Sequence, residues 1–233
     1  MTEMYAPAPH RLRGGTTIVA LSAAALLAAS CATGDGDDGE GGTAAGEATT
    51  VTTTETSDEG AGADGTTFAT ADLADPEGES RGTVQFSEID GGTLVTVEAS
   101  GLGSGFHGLH IHTTGLCEPD SEDPEKPGQT GAFLSAGGHL AGPDGEAGHP
   151  EHAGDLPPLY VSDDGTARVS TLTDRLDRDL LFDEDGSAVM VHEGSDNLAN
   201  IPERYAPEGA DEETRNAGDG GSRIACGVVT EEQ

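Results

Sequence analysis

The sequence predicts an all-β domain over residues 67–233, folded as a single barrel or sandwich of eight short strands. From residue 67 onward, short runs alternate apolar and polar residues, which is the period of strands with one buried face. Gly and Asp bound these runs. Asp90-Gly91-Gly92 is typical of a tight hairpin turn, which requires positive φ angles. Roughly 165 residues are enough for one such core.

Eight runs of the chain fit the strand pattern. They are 67–73, 82–89, 93–99, 106–112, 159–162, 167–173, 188–192 and 224–229. Two long segments rich in Gly, Pro, Asp and Glu interrupt them, at 113–158 and 193–222. Loops of this length in a compact domain generally carry function or are disordered. Because aromatic residues make up 3% of the chain and Trp is absent, we expect a core of Val, Leu and Ala.

The charge of the chain is strongly negative. Ten Lys and Arg residues stand against 44 Asp and Glu residues, a formal net charge of −34. This excludes a general nucleic-acid binder, which needs basic clusters to displace phosphate counterions. Residues 67–233 hold 34 of the acidic and 8 of the basic residues, a formal charge of −26. A substrate anion would therefore need a local positive site.

Residues 1–30 are predicted to be a signal peptide of the lipoprotein type. A short basic region (10–13) precedes an apolar run (17–29) that is too short for a typical membrane span. The run ends at Cys31 in LAASC, which resembles a bacterial lipobox with Ala28 in place of the usual Leu. Lipid on Cys31 would anchor an exported protein to the outer face of the cell membrane or in the periplasm. A plain secreted protein and an uncleaved anchor are the alternatives.

Residues 31–66 are predicted to be a disordered tether. They contain nine acidic residues, no Lys or Arg, and almost no large apolar side chain. Such a segment cannot bury enough surface to offset its ordering entropy. The tether would hold the folded domain away from the membrane. An acidic segment that collects metal ions is the alternative.

Seven of the eight histidines lie between positions 107 and 192, and some of them predict a copper site. His110 and His112 are two residues apart in a predicted strand, so their side chains point to the same face. His192 ends another predicted strand. Together with one more imidazole they would form a four-nitrogen site, a ligand set that suits copper. Taken alone, the His110/His112 pair and His192 would each be better explained as ordinary strand histidines.

The first long loop carries a second group of metal-binding residue types. Its members are His139, His149, His152 and Asp155. Three imidazoles and one carboxylate make a complete tetrahedral set for structural zinc.

Two cysteines remain once Cys31 is assigned to the lipid anchor. Cys117 lies just after the strand of His112, and Cys226 lies in the last predicted strand. An even pair in an exported chain favours a disulfide. It would pin the first loop to the barrel. Two free thiols are the alternative.

Several blocks of the sequence, in order, resemble the exported copper,zinc superoxide dismutases of bacteria. They are GFHGLHIH (105–112), Cys117, SAGGH (135–139), HAGDL (152–156), VHE (191–193) and GSRIACGV (221–228). The resemblance covers nearly all of residues 67–230. It implies an antiparallel Greek-key barrel with two long functional loops. It also implies an enzyme that converts superoxide to dioxygen and hydrogen peroxide.

The resemblance also implies roles for individual residues. Copper would be bound by His110, His112, His139 and His192, and zinc by His139, His149, His152 and Asp155. His139 would thus bridge the two metals, and during the redox cycle of copper this bridge would open on the copper side and take a proton. Asp196 would hydrogen-bond imidazoles of both sites, Arg223 would dock the superoxide anion, and His107 would be structural.

Three features depart from the family pattern. The spacing from His149 to His152 is short, which makes His149 the least secure ligand and leaves a copper-only enzyme open. Acidic residues dominate the loop 193–222, so steering of anions there would be poor unless Arg223, with Arg204 as a second candidate, dominates locally. Lys126 is the only lysine of the chain.

Two other function classes stay open at the level of the sequence. The same ligands would serve a lipoprotein that buffers copper or zinc without turnover, although storage needs neither Arg223 nor Asp196. A structural or adhesive β-domain with a degenerate site is the second. The oligomeric state is also open, with a homodimer as one candidate.

Overall fold

The computed structural model describes residues 65–143 and 148–232. The predicted signal peptide, Cys31 and the predicted tether up to residue 64 lie outside the described residues. The strands are β1 (Thr66–Ala74), β2 (Ser80–Ile89), β3 (Gly92–Ser100), β4 (Gly105–His107), β5 (Leu109–His112), β6 (Ser121–Glu122), β7 (Thr130–Gly131), β8 (Leu159–Val161), β9 (Thr166–Thr173), β10 (Ala188–His192), β11 (Arg223–Val228) and β12 (Thr230–Glu231). Two short helices are α1 (Arg178–Leu181) and α2 (Glu212–Ala217).

The main sheet is antiparallel and curls into a barrel. Its strands are ordered β5-β10-β11-β1-β2-β3-β9, with β12 added beside β1. A separate pair, β4 and β8, continues the wall, since β8 leads into β9 through a tight turn in which the amide of Ser162 donates to the carbonyl of Thr166 at 2.8 Å. Strands distant in sequence are neighbours at β5–β10 and at β11–β1. The all-β barrel predicted from the sequence is confirmed.

All eight predicted runs form strands, but the fourth is broken at Gly108. The amide of Gly108 donates to the carbonyl of Gly194 at 2.8 Å, and its own carbonyl accepts from the amide of His192 at 2.9 Å. Because these bonds point away from β8, the chain changes partner at this residue: β4 pairs with β8, and β5 pairs with β10. The two histidines of β5 are thereby placed beside His192.

The core of the barrel is aliphatic, as the composition predicts. Fully buried side chains include Leu73, Val84, Val95 and Val97, and aromatic rings contribute little beyond Phe86 and Phe68. Burial of apolar surface provides about 25 cal/mol per Å² and is the main force that holds these strands together. The barrel is therefore a rigid support for residues at the ends of its strands.

Each long loop contains short elements of its own. The first holds the β6–β7 hairpin and a 3-10 helix (Leu134–Ala136), and a disulfide between Cys117 and Cys226 ties it to β11. The second holds α2, which begins after the capping residue Asp211 and ends at Gly218 with a φ of 58°. Among the described residues, no helix is both long and apolar enough to cross a membrane.

Candidate metal centre

Four imidazoles converge beside the paired strands β5 and β10. His110 and His112 lie on β5, His192 ends β10, and His139 of the first loop forms an isolated antiparallel bridge with His112. One ligand atom from each of the four residues lies within 4.8 Å of the other three. All four are buried, with exposures between 0% and 8%. The structure thus brings together the four residues predicted to bind copper.

In each of these imidazoles, one nitrogen is buried without a hydrogen-bond partner among the described residues. These atoms are His110 Nδ1, His112 Nε2, His139 Nε2 and His192 Nε2. A buried polar atom without a partner costs about 1–3 kcal/mol. The opposite nitrogens are engaged: His112 Nδ1 lies 2.8 Å from the Gly137 carbonyl, and His192 Nδ1 lies 3.1 Å from that of Gly221. The unpartnered atoms therefore carry lone pairs, and the donor set fits copper.

The second group of predicted ligands surrounds Asp155. One carboxylate oxygen lies 2.8 Å from His139 Nδ1 and 3.1 Å from His149 Nδ1, and the other lies 3.0 Å from His152 Nδ1. The short spacing between His149 and His152 does not keep either ring from Asp155. Ligand atoms of His139, His149 and Asp155 also lie within 4.8 Å of one another and of His110. This carboxylate and its imidazoles fit zinc.

Asp196 joins the two groups. Its Oδ2 lies 2.7 Å from His110 Nε2, and its Oδ1 lies 2.8 Å from His149 Nε2. The backbone at Gly218 approaches this carboxylate so closely that a Cβ there would be 2.1 Å from Oδ1. Since any other side chain would displace Asp196, the glycine that ends α2 also shapes the site. Such carboxylates fix the orientation and tautomer of ligating imidazoles.

Burial and charge set the protonation of the two groups. Burial lowers the pKa of His139 to about 4, that of His192 to about 3, and that of His112 well below its ordinary value. Burial also acts on His149, but the carboxylates of Asp155 and Asp196 outweigh it and raise the pKa to about 9. At neutral pH the imidazoles of His112, His139 and His192 are thus neutral and free to ligate.

Arg223 begins β11 and is held beside the copper-side group. Its Nη1 donates to the carbonyl of Phe133 at 2.6 Å, and its Nη2 donates to that of Gly137 at 2.7 Å. The Gly137 carbonyl also accepts from His112 Nδ1, so the guanidinium and a predicted copper ligand share one acceptor. Burial lowers the pKa of Arg223 from its ordinary value, but arginine remains charged at neutral pH.

Comparisons with known proteins agree with this geometry. The sequence model of the family described as copper/zinc superoxide dismutase (SODC) matches residues 80–229. The chain is 41% identical to a copper-zinc superoxide dismutase of Mycobacterium bovis over 173 residues, 71% of each protein. It is 38% identical to that of Escherichia coli K12, over 65% of this chain and 80% of the relative.

This chain belongs to the copper/zinc superoxide dismutase family. A solved structure of the Brucella abortus copper/zinc superoxide dismutase has the same fold, with a TM-score of 0.51 at 30% identity over 69% of this chain and 98% of that protein. The resemblance stated from the sequence is therefore confirmed. So are the enzyme class and the two cofactors, copper and zinc.

Several residues of this superoxide dismutase site carry no clear sequence signal. The φ of Phe133 is 59°, a left-handed conformation that is rare for a bulky residue and that accompanies the carbonyl held by Arg223. Arg175 donates from its guanidinium to the carbonyls of Pro150 at 3.2 Å and Asp155 at 3.1 Å, bracing the zinc-side loop. The ring nitrogens of His107, by contrast, lie 2.8 Å from the carbonyls of His192 and Gly103, in keeping with the structural role that the resemblance implies.

Proposed function

We propose that this enzyme dismutates superoxide at a copper ion that shares His139 with a neighbouring zinc ion, outside the cytoplasm. The proposed bridge is supported by the orientation of the His139 ring. His139 Nδ1 lies 2.8 Å from Asp155, while Nε2 on the other side of the ring is buried, unpartnered among the described residues, and part of the four-imidazole group. A ring so placed offers one lone pair or proton position to each group.

The proposed ligand sets follow from these positions. Copper would be held by His110, His112, His139 and His192, and zinc by His139, His149, His152 and Asp155. When bound, copper supplies the one-electron chemistry that converts two superoxide anions and two protons to dioxygen and hydrogen peroxide, while zinc, which has no redox chemistry, fixes its ligands.

The residues around the copper-side group bind the substrate and manage its protons. The Arg223 guanidinium, held by two carbonyls, binds and orients a small anion next to the imidazoles. His139 Nε2 is the atom at which a proton can be held and then given to the product, since Nδ1 is committed to the zinc side.

The location outside the cytoplasm rests on three features. Disulfides such as Cys117–Cys226 persist in oxidising compartments. Residues 1–30 have the pattern of an export signal, and Cys31 stands where a lipid anchor would be attached. Anchoring through Cys31 belongs to this proposal, and homodimer formation stays a prediction.

The shared histidine is tested by electron paramagnetic resonance of Cu(II) in the full chain. If His139 bridges, adding zinc to the copper-loaded protein changes the copper spectrum, because zinc draws on the same ring. Asp155→Asn removes a proposed zinc ligand but leaves all four proposed copper imidazoles in the chain, so it serves as the control and should abolish the zinc-induced change. A copper spectrum that zinc leaves unaltered, with zinc shown to be bound, contradicts the bridge.

A further inference from the structure

The β6–β7 hairpin places two carboxylates at the edge of the site that holds Arg223. We propose that Asp123 and Glu125 oppose the attraction of small monoanions to Arg223, so that anion capture becomes faster as ionic strength rises. This inference rests on the proposed role of Arg223 as the anion dock, and it assigns to the hairpin a control over substrate approach.

The position of Glu125 follows from its neighbours. Its Oε2 lies 4.0 Å from the point that a Cβ on Gly138 would occupy. Gly138 directly follows Gly137, whose carbonyl accepts from both Arg223 and His112. The Glu125 carboxylate therefore lies close to Gly138, the residue next to the Gly137 carbonyl that positions Arg223.

The hairpin is held in place by its own hydrogen bonds. Asp123 Oδ1 accepts from the amides of Glu125 at 2.8 Å and Lys126 at 3.2 Å, which fixes the turn. The amide of Ser135, in the 3-10 helix, donates to Ser121 Oγ at 2.8 Å and ties the hairpin to the segment that carries Gly137. The backbone that carries Asp123 and Glu125 is thus fixed at the rim, and so is the carboxylate of Asp123.

The charge of Arg223 is not matched by a direct partner. Its contacts are to carbonyl oxygens, and within the described ranges it forms no ion pair. The negative charges of Asp123 and Glu125 both act to raise the pKa of its guanidinium, against the larger effect of burial. An anion that approaches Arg223 meets these same two charges, which repel it.

The neighbouring cation does not restore the attraction. Lys126 follows Glu125 on the hairpin, but its ammonium lies 3.7 Å from a carboxylate oxygen of Glu213 on α2. The positive charge of the only lysine is therefore offset by an acid of the second loop. The rim of the site combines the half-buried Arg223 with acidic groups on both loops.

The test uses the full chain loaded with copper and zinc, with azide as the monoanion. Azide affinity is measured from the change in the visible copper spectrum, and superoxide consumption is measured alongside, from about 10 mM to about 200 mM ionic strength. The variant is Asp123→Asn with Glu125→Gln, which keeps the Oδ1 acceptor of residue 123. The matched control is Glu88→Gln with Asp90→Asn on the exposed β2–β3 turn, which removes the same charge at the same spacing.

We expect the hairpin variant to bind azide about fourfold more tightly at low ionic strength, about twofold for each charge near one Debye length. The gain shrinks at high ionic strength, and superoxide consumption by the unaltered protein rises with salt. The control variant changes azide affinity by less than about 1.5-fold, since its charges are distant.

Equal azide affinity of the hairpin and control variants overturns the inference, as does weaker binding by the hairpin variant. These outcomes leave superoxide dismutation by the protein intact. If instead the loaded protein fails to consume superoxide while the azide gain is present, the proposed function fails and the electrostatic inference stands. Introducing Arg223→Met should abolish the azide gain, and persistence of the gain in that background would show that Arg223 is not its target.

Discussion

The two halves of the metal centre are held in different ways. Three of the proposed copper ligands, His110, His112 and His192, stand on paired strands of the barrel, whereas the zinc side is carried almost wholly by the first loop. The strand histidines are between 0% and 4% exposed, while the side chain of His152 is 13% exposed. The barrel strands thus fix the positions of the copper-side ligands. The zinc-side ligands must be fixed by separate contacts.

Those contacts come from distant parts of the chain. Asp196 reaches from the second loop to His149, and the amide of His149 donates to the carbonyl of Arg215 at 2.8 Å. Arg175 holds the carbonyl of Asp155, and the disulfide of Cys117 anchors the start of the loop. Copper binding should therefore survive disturbances of the loop that reduce zinc binding.

The largest effect is expected on the strand-held side. His112→Gln removes an imidazole with no replacement donor, so we expect copper binding and superoxide consumption to fall by at least about 100-fold. His152→Gln is the matched change on the loop, and it should lower zinc content while copper stays bound. Metal analysis and stopped-flow kinetics measure both. If His152→Gln lost as much copper as His112→Gln, copper binding would not be independent of the first loop.

The next effect concerns the anchor of the first loop. Removing the disulfide with Cys117→Ala and Cys226→Ala should lower the free energy of unfolding by about 2–5 kcal/mol, because the unfolded chain is no longer constrained. Denaturant unfolding of the metal-free protein measures this change. We also expect zinc content to fall more than copper content. If the free energy of unfolding of this double variant is unchanged, the disulfide does not contribute to stability.

The smallest effect is expected at Arg175. Arg175→Met keeps an apolar stem but removes two hydrogen bonds to the loop, which at an exposed position are worth about 1 kcal/mol together. Zinc affinity should therefore fall about fivefold, with copper affinity unchanged. Competition with a zinc chelator measures it, and Arg168→Met, at an exposed residue of β9, provides the control. An equal loss of zinc affinity in both variants would show that Arg175 does not stabilise the zinc side.

The strands and the ligand types were predictable because they repeat local rules. The two-residue period identified all eight runs, and the spacing of His110 and His112 indicated a shared face. The break at Gly108 was not predictable, since it depends on hydrogen bonds to residues far along the chain. The helix α2 carries a signal that could have been recognised, an Asp at its start and a Gly at its end.

The supporting contacts of the site were mostly hidden from the sequence. Backbone carbonyls carry no side-chain signal, so the acceptors of Arg223 at Phe133 and Gly137 could only be seen in the fold. The closeness of His149 to Asp155 also depended on how the loop folds, because spacing alone made His149 the least secure ligand. The role of Asp196 was implied only by the family resemblance.

Metal analysis and superoxide consumption, measured on one sample of the full chain reconstituted with both metals, test directly whether one chain holds a catalytic pair of metals. We expect about one copper and one zinc per chain together with rapid consumption of superoxide. Binding of both metals without turnover would contradict the proposed function and would favour a metal-buffering protein.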